Sequence, residues 1–152
     1  MPYAEHTNVA PEKSRMEIEQ ALNRYGASAF MYATTTAQSM VQFMYQGRNI
    51  RIVLAKPDVS KLKVRWYGNV RDANPDQKAK FISDEGRRQW RALLLVIKAK
   101  LEAVQSKIAT FDDEFMAYVV MPNGQTMGEW MRPQIEQAVA NGHMPKMLMS
   151  GS

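Results

Sequence analysis

The chain contains no cysteine. That excludes a disulfide framework, a thiolate metal site and a thiol nucleophile together, and it suits a reducing compartment. Histidine is scarce too. His6 stands alone near the start, where a solvated side chain is expected rather than a ligand. No stretch approaches the roughly 18 apolar residues of a membrane span, and MPYAEHTNVAPEKSR holds no apolar run, so no signal peptide is expected. HExxH, the P-loop, GxGxxG and GxSxG are all missing, and no local grouping of Ser, His and carboxylate recommends a triad. Asp112, Asp113 and Glu114 are consecutive; on a helix adjacent side chains diverge by about 100°, so they are expected to favour a helix N-terminus rather than share an ion. Accordingly we expect no catalytic residue, no metal site, no cofactor and no divalent-metal-dependent cleavage of nucleic acid.

What the chain does have is a core and an uneven charge. Hydrophobic residues make up 45 %, enough for a folded interior. Methionine is abundant at 12, a residue that fills irregular gaps and adaptable surfaces. The net charge of +5 is concentrated: residues 44–107 hold 15 basic and six acidic groups, whereas both flanking segments are mildly acidic. Such a block points toward polyanions.

One long helix organises the rest, expected from Asn74 to Ile108. Asn74 is the N-cap candidate, Pro75 the first helical residue, and only Gly86 threatens to break it. Trp90, Leu94, Ile97, Leu101, Val104 and Ile108 follow steps of four and three, the spacing of one helix face. Lys80, Arg87, Arg91 and Lys98 fall within about 40° of each other beside that seam. This row is either a phosphate-tracking ridge or a solvated face whose stems shield the core edge. The near-heptad seam, widened by Leu93, Leu95 and Val96, leads us to expect a homo-oligomer, most simply a two-fold dimer.

Around this spine, residues 1–11 are expected to be a flexible arm, 12–142 a single domain, and 143–152 an extended tail. A first helix is expected from Pro11 to Tyr25, with Ser14 and Glu17 as a capping box. Ala29–Thr35, Met40–Tyr45 and Ile50–Ala55 read as strands, the last two joined by the turn Gln46-Gly47-Arg48-Asn49. A fourth strand is expected over Lys61–Tyr67. Leu62, Val64 and Trp66 take one side; Lys61, Lys63 and Arg65 take the other, where Arg51 can join them. That is edge protection or a phosphate-binding patch. Gly68–Asn74 reads as a polar loop. Beyond the spine, Thr110 caps a short helix to Val120, and Thr126 opens a last helix that Pro133 should kink or split. Those two helices around PNGQ resemble a helix-turn-helix in outline, but TMGEWMRPQIEQ has one Arg and two Glu, poor chemistry for a major groove. Trp90 and Trp130 are expected in the core or at an interface; Trp66 falls on the apolar side of its strand, with base stacking as the alternative.

The segments EKSRMEIEQALNRYGASAFMY, GRNIRIVLAKP, RRQWRALLLVIKAKLEAV and MPNGQTMGEWMRPQIEQAVANGHMP, more than half the chain, resemble small uncharacterised proteins encoded by bacterial viruses and prophages. The resemblance implies a mobile-element origin and a host-cell, cytoplasmic setting; it implies no activity and no site residue.

The fold expected is therefore α+β: a leading helix, a three- or four-stranded antiparallel sheet, a long central helix and two shorter C-terminal helices. The function expected is non-enzymatic nucleic-acid binding with weak sequence preference, DNA in preference to RNA. Arg51, Lys61, Lys63, Arg65, Lys80, Arg87, Arg88, Arg91 and Lys98 are the candidate contacts. The alternative is a protein-interaction module that inhibits a host or defence protein.

Overall fold

Gln46 and Gly47 both have positive φ, 46° and 77°, the backbone of a two-residue turn whose twist matches that of its strands. That turn joins β2 (Gln38–Tyr45) to β3 (Arg48–Ala55), and β1 (Ser28–Thr34) completes an antiparallel sheet of order β1-β2-β3. The structure, a computed structural model, describes residues 7–145. The expected arm and tail are thus only partly within it; His6 and residues 146–152 lie outside the described residues.

The sheet packs one face against three helices. Val41, Phe43, Ile50 and Ile52 alternate inward from β2 and β3. They meet Ile18 and Leu22 of α1 (Pro11–Asn23), five residues of α2 (Pro75–Gln105), and Phe111 and Phe115 of α3 (Phe111–Phe115). Aromatic rings lock the centre: Phe43 stacks on Phe30 at 6.0 Å and meets Phe115 edge-on at 6.3 Å. A 3₁₀ turn, Met116–Tyr118, follows α3, and the chain then runs along the free side of β3, with Val119 bridged to Ile50. α4 (Met127–Asn141) closes the described fold and buries no residue fully. This is the expected α+β architecture.

Several local expectations are corrected. Ser14 is no cap: Ala10 holds that position with Pro11 following, while Ser14 is fully buried, its Oγ without a hydrogen-bond partner. Glu17 instead receives Arg91 Nη1 at 2.8 Å, tying α1 to α2. α2 passes through Gly86 unbroken and ends at Gln105, because Lys107 turns left-handed (φ 61°) and the Ile108 amide folds back onto the Ala103 carbonyl. Ile108 is therefore outside the seam and 80 % exposed. Trp90, Leu93, Leu94, Ile97 and Leu101 are all buried against the chain's own sheet, α1 and α3, which removes the seam as a ground for oligomerisation. The short helix stops at Phe115 rather than Val120. α4 continues through Pro133, and the Gln134 side-chain amide donates to the Trp130 carbonyl. α4 lies largely in solvent, so the carbonyl that Pro133 leaves without a backbone donor can be met by water.

No residue of α2 before Trp90 is buried. The first turns depend on local terms, chiefly a reciprocal cap: Asn74 Oδ1 accepts from the Gln77 amide at 2.8 Å and Gln77 Oε1 from the Asn74 amide at 2.9 Å. Asn74→Ala is expected to remove about 1 kcal/mol, locally. Amide exchange over residues 77–80 should accelerate several-fold while the melting temperature moves by only a few degrees; equal protection in both proteins would refute it.

Candidate nucleic-acid interface

The basic block does not form one continuous ridge. Its most exposed part is a second hairpin, built where one strand and a loop were expected. β4 (Lys63–Trp66) pairs antiparallel with β5 (Asn69–Asp72) as a separate two-stranded ribbon, not as a fourth strand of the main sheet. Tyr67 and Gly68, with φ 48° and 79°, form the tip, repeating the turn geometry of the first hairpin. At the base, the Ala73 amide donates to the Leu62 carbonyl at 2.8 Å, and Ala73 is buried. Leu62 and Val64, half-buried, line a shallow cleft with Gln77 and Phe81 of α2. Beyond that anchorage every residue from 65 to 72 is exposed.

The ribbon's chemistry follows from its register. Lys63 faces Asp72 and Arg65 faces Val70 on one side; Val64 faces Arg71 and Trp66 faces Asn69 on the other. Lys61 precedes this register in a turn and is exposed. Among the described residues Lys61, Arg65 and Arg71 have no acidic partner, whereas Lys63 pairs with Asp72 and its hydrogen bond holds that carboxyl below the usual aspartate range. At the tip Trp66 is 48 % and Tyr67 90 % exposed, their rings nearly perpendicular at 5.1 Å. Trp66, expected on the apolar side of its strand, is not in the core, because its strand has no sheet beneath it. Trp90 is buried as expected, and Trp130 is partly exposed.

The helix cations behave differently. Lys80 reaches Asp84 at 2.9 Å; Arg87 pairs with the same carboxylate and donates to Ser83 Oγ at 2.9 Å. Arg88 grips Glu85 through two bonds of 2.9 and 2.7 Å. Hydrogen bonding from Lys80, joined by Arg87, lowers Asp84, and Arg88 lowers Glu85. Arg91 belongs to the α1–α2 junction. These pairs brace the helix face, although such surface pairs are weak enough for a phosphate to compete for the cations. Arg51 donates to the Gly124 carbonyl at 2.7 Å and so ties the sheet to the turn before α4. Lys98 is exposed but lies 14 residues past Asp84, about 21 Å along the helix, beside Arg24 in a groove between α1 and α2.

Of the nine candidate residues, then, the structure gathers Lys61, Lys63 and Arg65 on the arm. It leaves Lys80, Arg87 and Arg88 on the adjacent helix with acid partners, and sets Arg51, Arg91 and Lys98 elsewhere. Arg71 completes the arm and is not among the candidates that spacing alone suggests; Gly68 between two short polar-apolar alternations is the signal for its strand.

The three consecutive acids diverge. Asp112 pairs with Arg48 at 2.5 Å, Asp113 caps α3 by accepting from the Thr110 amide, and Glu114 faces Lys100 at 3.4 Å. Among the described residues no group of three or more His, Cys, Asp or Glu could hold a metal ion, and no helix is long and apolar enough to cross a membrane. No family model matches the chain, and neither a curated protein nor a solved structure is detectably similar to it.

Proposed function

We propose that the protein binds nucleic acid, without catalysis and with weak sequence preference, through the β4–β5 arm. The setting proposed is the cytoplasm of a bacterial host, for a protein of viral or prophage origin. One observation carries this: a protruding ribbon bearing Arg65 and Arg71 without acidic partners ends in an exposed Trp66–Tyr67 pair. Phosphate contact needs clustered cations on a firm scaffold, and exposed aromatic faces stack on any base, which favours binding without sequence readout. DNA is the expected ligand in preference to RNA.

With Lys61, Lys63, Arg65 and Arg71 neutralising four phosphates, log K should fall with log salt with a slope of about −3 to −4. Fluorescence anisotropy on labelled single- and double-stranded DNA measures this. Tyr67→Ala should cost about 1–3 kcal/mol on single strands if its ring stacks on a base. Absence of binding to either ligand at roughly 50 mM salt rejects the proposal.

The runner-up is docking on an acidic host or defence protein. Val70, 64 % exposed on the same face as Arg65, favours it, since an apolar side chain adds nothing to a phosphate contact while Trp, Tyr and Arg are the residues that anchor protein interfaces.

A further inference from the structure

β1 is an edge strand of the three-stranded sheet, and its outer edge has no strand neighbour among the described residues. The opposite edge of the sheet is covered at its start, where Val119 bridges Ile50 and the Val120 amide donates to the Asn49 carbonyl at 2.8 Å, and β3 carries Arg48 and Arg51. Open edges recruit other strands, and soluble proteins guard them with charge, proline or bulges. β1, SAFMYAT, has neither charge nor proline. Its guard is a bulge between Ser28 and Met31, where Ala29 has φ 55°. From Met31 to Thr34 its pairing with β2 is regular.

Apolar surface flanks this edge on the outer face of the sheet. On the sheet face away from the helices Met31 is 46 % exposed, and next to it Ala33 shares a cross-strand row with half-buried Met40 and exposed Val53. On the helix side the Tyr32 hydroxyl donates to the Arg15 carbonyl at 3.1 Å, with the Glu19 carboxylate beside it.

We propose that two copies of the chain pair β1 with β1, antiparallel about a two-fold axis, to make one continuous six-stranded sheet. The occupant of this edge must bring an uncharged strand with a free edge of its own. Among the described edge strands β1 alone is uncharged: β4 and β5 carry Lys63, Arg65, Arg71 and Asp72, and β3 carries Arg48 and Arg51 and is bridged at Ile50. Two-fold pairing is self-complementary and sets Met31 and Ala33 of both copies side by side. A polyanion finds no cation on β1, so this interface is separate from the arm and stands or falls independently of nucleic-acid binding.

Sedimentation velocity of the full chain tests it. The wild type is expected to be dimeric at tens of micromolar and to dissociate on dilution. Ala33→Lys and Met31→Lys, both at exposed positions, are expected to be monomeric with unchanged far-UV circular dichroism, since Lys is the residue that guards natural edges. Ile135→Lys, on the exposed apolar side of α4, is expected to remain dimeric. Amide exchange in residues 31–34 of the wild type should quicken on dilution while residues 50–53 hold, a readout that needs no variant to fold. A wild type that is monomeric up to roughly 100 µM, a dimer that survives both lysines, dissociation by Ile135→Lys, or β1 exchange independent of concentration would each overturn the proposal.

Discussion

Leu94→Glu is expected to unfold the protein. Leu94 has no exposed surface and sits in the core among residues from α1, α2, α3 and the sheet. A carboxylate there lies among apolar side chains and out of bulk solvent, and a buried charge costs several kcal/mol beyond the packing lost. Native domains are stable by only about 5–15 kcal/mol, so this one change consumes much or all of the margin. Loss of far-UV helical signal and rapid proteolysis are the expected readouts. Val96→Glu, two residues along and 46 % exposed, should fold normally. A folded, monomeric Leu94→Glu would mean that the seam packs on a second copy instead of on its own sheet.

The second large effect falls on binding. Arg65→Glu with Arg71→Glu turns two unpartnered positive charges into two negative ones on opposite faces of the ribbon. Loss of two phosphate contacts plus the added repulsion should weaken DNA binding about 100-fold or more at moderate salt. Because neither side chain holds anything in the fold, the melting temperature should stay within a degree or two. Arg91→Ala should do the reverse, lowering stability by opening its pair with Glu17 while leaving DNA affinity nearly unchanged. Equal losses of affinity from both variants would return the helix face to the interface.

That contrast marks where the sequence was legible. Spacing located the strands β2 and β3, the buried half of α2 and the caps at Asn74, Thr110 and Thr126, because each is set by local periodicity or by a side chain three residues from its partner. It located Lys61, Lys63 and Arg65 as one-sided cations. It could not say which cations were already satisfied. Arg87 and Arg88 depend on acids three residues away and could have been paired by helical spacing, but Arg91 with Glu17 and Arg51 with Gly124 join positions more than 70 residues apart. The second hairpin was missed for a different reason: its strands are four residues each, and its tip places Tyr where Asn or Gly would have signalled the turn.

Tyr67 has a consequence for how this chain tolerates change. A left-handed backbone costs a residue with a β-carbon about 1–2 kcal/mol, a penalty that Gly and Asn largely escape. Tyr67 bears that penalty at φ 48° and hides almost none of its ring, touching only its neighbour Trp66 among aromatic groups. A library screened for thermal resistance alone is expected to discard it in favour of Asn, and one screened for the proposed nucleic-acid binding is expected to keep it. On the proposed role the tip is a position where binding and foldedness pull in opposite directions, and two such selections run side by side test that role.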